Sequence, residues 1–152
     1  MRMDYNYAGS WDSATMARAV GLDLPLSWKT ATMVLAQLRG QTLESARALL
    51  GAVTAKKAAI PFTRYNFDRG HKVGMGPGRY PIKAAAEIMA VLEAAAANAE
   101  AKGLTELRVA AAIVHKGTKR WKAGRRPRRG AKSAHIEIVL AGRAAEAKEG
   151  RK

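Results

Sequence analysis

Past Gly103 the chain changes its hydrophobic period. Upstream, apolar residues recur every three or four positions. From Leu107 they alternate, with Leu107, Val109, Ala111 and Ile113 on one face and their neighbours on the other. Alternation returns at Ile136, Ile138 and Leu140, which are separated by Glu137 and Val139. Successive side chains of a strand point to opposite sides, so each run reads as a strand with one buried face. Between the runs lies GTKRWKAGRRPRRGAK, residues 117–132, in which eight of sixteen residues are Lys or Arg and none is acidic. Two alternating runs around one such segment predict a long hairpin with the densest positive charge of the chain at its tip. Glycines bracket Pro127, so Gly124 to Gly130 should form the turn. About eight residues out and eight back, at roughly 3.3 Å each, carry the tip some 25 Å beyond the flanking strands. A bare two-stranded arm is marginal in water and this one repels itself, so it is expected to order against a polyanion.

Upstream of the hairpin the pattern is helical three times. Ser27 is placed to cap a helix over 28–38, with Ala31, Val34, Leu35 and Leu38 on one side and Gly40 as its stop. Thr42 caps a second helix, 42–55, whose apolar stripe is Leu43, Ala46, Leu49, Leu50 and Val53. Pro81 suits the first turn of a third, which runs to Lys102 and stops at Gly103. Its inward face is expected to be Ile82, Ala85, Ala86, Met89, Leu92 and Ala96. Near the start, Tyr5 and Tyr7 sit on one face and residues 3–8 read as a short strand. Residues 9–26 are mixed, and Pro25 argues against a continuous helix there. From Lys56 to Tyr80 the chain reads as a long loop, because NFDRGHKVGMGPGRYP is dense in glycine and proline.

Charge narrows the class of partner. Net charge is +15 over 152 residues, and the hairpin segment alone supplies eight positive charges. A focused basic surface favours nucleic acid or an anionic membrane surface. The absence of cysteine removes disulfides, thiolate chemistry and Cys-based zinc sites. The start, MRMDYNYAGSW, lacks the apolar stretch of a signal peptide, and the Ala-rich run at 84–99 is interrupted by Glu87 and Glu93. The expectation is a soluble cytoplasmic protein with no membrane partner, no cofactor and no small-molecule substrate.

The candidate binding residues form two groups. In and beside the hairpin, Lys116, Lys119, Arg120, Lys122, Arg125, Arg126, Arg128, Arg129 and Lys132 can neutralise phosphates, and Trp121 offers a stacking face. A solvated run would look equally basic, but strands on both sides argue for an ordered element. For Trp121, packing on its own hairpin is an equal alternative. In the loop, Arg64, Arg69, His71, Lys72 and Arg79 stand against the single acid Asp68, as expected of a segment lying along an RNA backbone. A covering loop with incidental charge is the plainer alternative. GMGPG resembles a phosphate-cradling loop, but no Gly-Lys-Ser/Thr follows it. His71, His115 and His135 show no metal-ligand spacing; His115 and His135 could face each other across the hairpin. Asp68 near His71 is the only acid–base pair worth naming, and such pairs are too common to suggest an enzyme.

Taken in order, LDLPLSWKTATMVLAQLRGQTLESARALL, PFTRYN, GHK at 70–72, GRYP at 78–81, RRPR at 125–128 and AHIEIVLAG resemble the universal large-subunit ribosomal protein L-twenty-two family, in its archaeal and eukaryotic branch. The resemblance spans about residue 5 to residue 142. It implies an α+β fold: three helices packed on a small antiparallel three-stranded sheet, with a long basic β-hairpin extension. It implies a structural constituent of the large ribosomal subunit, placed near the outer opening of the peptide exit tunnel. The hairpin would thread ribosomal RNA toward the tunnel wall, among neighbouring large-subunit ribosomal proteins. Carried over, Arg125, Arg126, Arg128 and Arg129 fall on the family's tip motif, and His71, Lys72, Arg79 and Tyr80 on its RNA-facing loop. The return arm from Arg129 to His135 is several residues shorter than that branch's pattern. On this basis 1–152 is one domain, with a body over 1–116 and 133–142, a hairpin tip over 117–132 and a solvated tail over 143–152. A histone-like DNA-bending protein with basic β-arms is the alternative, with Pro127 as its wedge, but here arginines rather than apolar residues surround that proline. An RNA-modifying enzyme would need a catalytic constellation that these residues do not supply.

Overall fold

A computed structural model describes residues 5–8, 11–125 and 129–144. In chain order its elements are β1 (Met16–Leu24), α1 (Trp28–Leu38), α2 (Leu43–Thr54), β2 (Ile60–Pro61), β3 (His71–Lys72), β4 (Met75–Arg79), α3 (Ile82–Ala101), β5 (Leu104–Lys116), β6 (Arg120–Lys122), β7 (Arg129–Ala131) and β8 (Ala134–Ala144). The two alternating runs pair as expected. β5 and β8 form an antiparallel ladder from Leu104↔Ala144 to Lys116↔Ala134, and β1 adds to the far edge of β8 in the order β1–β8–β5. The fold is α+β, with three helices and a three-stranded antiparallel main sheet.

The third strand is not the one expected. Residues 5–8 form no strand, and residues 3 and 4 lie outside the described residues. The strand is β1, inside the stretch 9–26 that shows no clear pattern. Its inward residues are Ala17 and Ala19, both buried. Alanine contributes little to a hydrophobic alternation and has low strand preference, so the sheet rather than the local sequence decides this strand.

A bulge changes the phase of β5. Val109 pairs with Leu140 but Ala111 pairs with the next residue, Val139, so Ala110 is extra. Val109 and Ala112 are therefore buried toward the helices, while Ala111 and Ile113 turn to the other face with Val139 and Glu137. The four residues expected on one face are split between two.

All three helices lie against one sheet face. Val34, Leu35 and Leu38 of α1, Leu50 and Val53 of α2, and Ile88 and Leu92 of α3 share one core with Ile136, Ile138 and Leu140 of β8. Each such side chain contributes roughly 1.5–3 kcal/mol on full burial. The stripes expected for α1 and α2 are buried, with Leu49 only partly so. Thr42 Oγ1 accepts a hydrogen bond from Ser45 N at 3.3 Å, as a cap should, whereas Ser27 occupies the N-cap position with no side-chain cap. The inward face of α3 is rotated from expectation. Ala84, Ala85, Ile88, Val91, Leu92, Ala95, Ala96 and Ala99 are buried, Ala86 is exposed, and Ile82 and Met89 are half-buried. Alanine on nearly every side of this helix leaves its burial phase to its neighbours. Gly40 and Gly103, at φ 77° and 68°, end α1 and α3 in the left-handed region that other residues enter at a cost.

The segment 56–80 is not wholly irregular. It holds a second small sheet, ordered β2–β4–β3, in which β4 pairs Ile60↔Arg79 and Pro61↔Gly78 on one side and His71↔Pro77 and Lys72↔Met75 on the other. Backbone pairing, not side-chain alternation, defines these strands.

The face of the main sheet away from the helices is covered by the described N-terminal residues. Glu137 is 1% exposed there. Tyr5 donates its hydroxyl to Glu137 Oε1 at 2.6 Å, and Ala8 N donates to Oε2 at 3.0 Å. Burial first, and then the bond to Glu137 and its charge, push the Tyr5 phenol up to about 12. His115 Nε2 lies 2.8 Å from Glu137 Oε1, and His115 stands opposite His135 in the ladder, as the spacing of the two histidines allowed. The Arg18 guanidinium covers the rings of Tyr7 and Trp11 at 4.2 and 3.9 Å.

Candidate nucleic-acid interface

Beyond Lys116 the hairpin continues as a second ladder. β6 and β7 pair Arg120↔Ala131, Trp121↔Gly130 and Lys122↔Arg129. Gly117 N donates to Ser133 O at 3.0 Å and bridges the gap between the two ladders. Gly130, expected in the turn, is therefore in a strand. Residues 123–128 join β6 to β7, and of these Arg126, Pro127 and Arg128, on which the expected turn centres, lie outside the described residues. The Lys119 side chain crosses directly over Gly130, where a Cβ would make it swing aside. Lys119 Nζ then sits 4.2 Å from the Trp121 ring, while Trp121 remains 61% exposed. So Trp121 does pack on its own hairpin, through Lys119, and still presents most of its surface to solvent.

The root of the arm is fixed by a residue the sequence reading missed. Asp23, at φ 51° at the end of β1, accepts Arg120 Nη2 at 3.0 Å and the Ser133 hydroxyl at 2.9 Å. Its own N–H donates to His135 Nδ1 at 3.0 Å. Asp tolerates the left-handed region better than most side chains. The only available signal was a turn-forming acid two residues before Pro25.

Every candidate cation among the described residues is exposed: Lys116, Lys119, Arg120, Lys122, Arg125, Arg129 and Lys132 in the hairpin, and Arg64, Arg69, His71, Lys72 and Arg79 in the 64–80 segment. The fold brings parts of the two groups together. A cleft of about 480 Å³ opens between the start of α1, the 64–80 segment and the arm root. Arg69 and Arg79 line one side, Lys116, Lys119 and Lys132 the other, and Ser27, Trp28 and Lys29 are also among its lining. A second cleft of about 400 Å³ shares Ser27, Thr30 and Lys132 with the first and adds Tyr80 and Lys83. No acidic side chain lines either cleft among the described residues. Ser27, Trp28 and Lys29 read from sequence only as the start of a helix, and nothing there signalled a shared wall.

The remaining candidates have local partners. Arg64 lies 5.5 Å from the Tyr65 ring, which meets Trp28 edge-on at 5.2 Å. Lys72 lies 5.6 Å from the Tyr80 ring, and Arg79 lies 5.8 Å from Phe62. Asp68 is 3.7 Å from Arg69. In GMGPG, Gly74 turns the chain at φ 74° and the other four residues run into β4, which pairs with β2 and β3, so most of this backbone is strand rather than an anion nest. On the helices, Glu93 takes a bidentate bond from Arg47 at 2.9 and 2.6 Å, and those hydrogen bonds raise the guanidinium's affinity for its proton. Among the described residues no helix is long and apolar enough to cross a membrane.

An exposed, acid-free pair of clefts beside a basic arm is suited to a phosphate backbone. Comparison with known proteins agrees with that chemistry. Residues 19–141, from β1 through most of β8, match the family described as Ribosomal protein L22p/L17e. The chain is 37% identical over 142 residues to the large ribosomal subunit protein uL22 of Staphylothermus marinus, covering 85% of this chain and 90% of the relative. It is 38% identical over 136 residues to that of Methanothrix thermoacetophila, covering 82% and 88%. For Hyperthermus butylicus the figures are 36% over 150 residues, covering 90% and 96%. With a family match across every element of the fold and similarity over most of each relative, the chain belongs to the ribosomal protein L22p/L17e family.

Proposed function

We propose that this chain is a structural constituent of the large ribosomal subunit and that it binds ribosomal RNA, without enzymatic activity. The observation that carries the reading is convergence. Two basic segments separated in sequence by a helix and a strand meet at acid-free clefts, in a chain of this family. Lys116, Lys119, Arg120, Lys122, Arg125, Arg126, Arg128, Arg129 and Lys132 neutralise backbone phosphates along the arm, and Trp121 stacks on an unpaired base. Arg64, Arg69, His71, Lys72 and Arg79 contact phosphates beside the body, where Tyr80 adds an exposed ring.

A hairpin is thin enough to enter a crevice between RNA helices that a globular surface cannot enter, and dense positive charge offsets the phosphates crowded there. Similarity to the family supports an arm that runs toward the wall of the peptide exit tunnel, among neighbouring large-subunit proteins, in cytoplasmic ribosomes. The body, 1–116 and 133–142, folds without RNA, because its core is closed by the three helices and the sheet. Sedimentation tests the reading. After a high-salt wash the protein stays with large subunits if the arm is threaded; release at a salt that strips loosely held basic proteins contradicts it.

A further inference from the structure

The two clefts beside the arm root are concave, and a double helix cannot enter them. The larger, at about 480 Å³, is of the size that encloses small ligands, roughly 300–1,000 Å³. A duplex laid across it would touch only the rim. One strand with unstacked bases can go in, and single-stranded RNA is recognised by such stacking on aromatic side chains beside cations. Each cleft has one aromatic side chain that fits this chemistry. Trp28 lines the first, with the Lys29 ammonium 5.9 Å from its ring; Tyr80 lines the second and is 38% exposed. The wall between them, Ser27, Thr30 and Lys132, offers two hydroxyls and one ammonium. That is the composition expected where a phosphodiester passes from one base site to the next.

The geometry points to a track for an unpaired RNA strand: two neighbouring nucleotides sit in the two clefts, one base against Trp28 and the other against Tyr80, with the phosphate between them over Lys132. This rests on the RNA-binding reading above and narrows it, since it separates these clefts from the arm. The cations of the arm can bind duplex phosphates of any sequence, while the track requires a strand with its bases free.

The test uses the full chain with Trp11→Phe and Trp121→Phe, so that Trp28 alone reports. Short oligouridine is titrated against an RNA duplex of equal phosphate content at equal salt. Oligouridine is expected to quench Trp28 emission and the duplex to leave it unchanged. In the otherwise unaltered chain, Tyr80→Ala is expected to lower oligouridine affinity by roughly five- to hundredfold, the range of one lost stacking contact, with little effect on duplex affinity. Equal quenching by both RNAs overturns the preference for an unpaired strand. Unchanged emission together with an unchanged Tyr80→Ala variant overturns the track. If large-subunit ribosomal RNA is still bound in that case, the proposed function stands without it. A parent chain that binds no ribosomal RNA removes both.

Discussion

Replacing Asp23 with Asn takes one negative charge from beside the basic arm. On net charge alone, binding to any polyanion should tighten. The structure requires the opposite sign. Asp23 holds Arg120 through a pair whose side chains are 41% and 68% exposed, which is worth about 0.2–1 kcal/mol. It also accepts from Ser133, which is 9% exposed. A bond to a charged acceptor contributes about 1.5–3 kcal/mol and a neutral one about 0.5–1.5, so Asn loses about 1 kcal/mol or somewhat more at that contact. The total, about 1–2.5 kcal/mol, falls on the arm root and not on the core. It corresponds to roughly a five- to sixtyfold rise in the population of a detached arm. Hydrogen exchange at the Gly117 amide, which donates to Ser133 O, should accelerate by about that factor, while amides of β8 within the core ladder keep their protection. Affinity for a ribosomal RNA fragment should fall, by no more than the same factor, because an arm no longer held in place must be ordered on binding. Tighter binding with unchanged exchange at Gly117 would refute the brace.

Leu92 is fully buried between α3 and the sheet, so Leu92→Ala should lower stability to urea by about 2–5 kcal/mol; a change within about 0.5 kcal/mol would mean that the inward face of α3 is misplaced. Neutralising Arg125, Arg126, Arg128 and Arg129 together should flatten the log–log salt dependence of ribosomal RNA binding by about three to four units, and an unchanged slope would show that the tip touches no phosphate. The raised Tyr5 phenol has a definite pH signature. Its folded value, about 12, exceeds the ordinary value, so its contribution is complete below about pH 10 and is lost as pH rises toward the folded value. The stability gap between the parent and Tyr5→Phe should therefore be level at neutral pH and close in the alkaline range; a gap that opens there contradicts the bond to Glu137.

What could be read in the sequence follows from where side-chain pattern decides structure. Leu35, Leu38, Leu50 and Val53 carry their helical period openly, and Ile136, Ile138 and Leu140 alternate without interruption, so α1, α2 and β8 were legible. Alanine hid the rest. Ala17 and Ala19 face the core of β1 without looking like a strand, and the Ala110–Ala111–Ala112 run conceals a bulge because its three residues are alike. In α3, Ala85, Leu92 and Ala96 were read correctly as inward, but alanines on many sides left Ile88 and Val91 to be placed by the partners they meet. The strands within 60–79 are made by backbone pairing among glycines and prolines, which leaves no side-chain trace. For the interface, charge density located the cations of the hairpin and the loop. Sequence had no means of showing that Arg69 and Arg79 share a cleft with Lys116 and Lys132, or that Trp28 lines it, because those contacts are made only by the tertiary fold.

A cryo-EM map of large ribosomal subunits containing this chain tests the central claim most directly. The account predicts the β6–β7 arm enclosed by ribosomal RNA, with the turn beyond Lys122 directed to the peptide exit tunnel and the cleft at Arg69, Arg79 and Lys132 against an RNA backbone. An arm lying free on the subunit surface, with those clefts facing solvent, would contradict it.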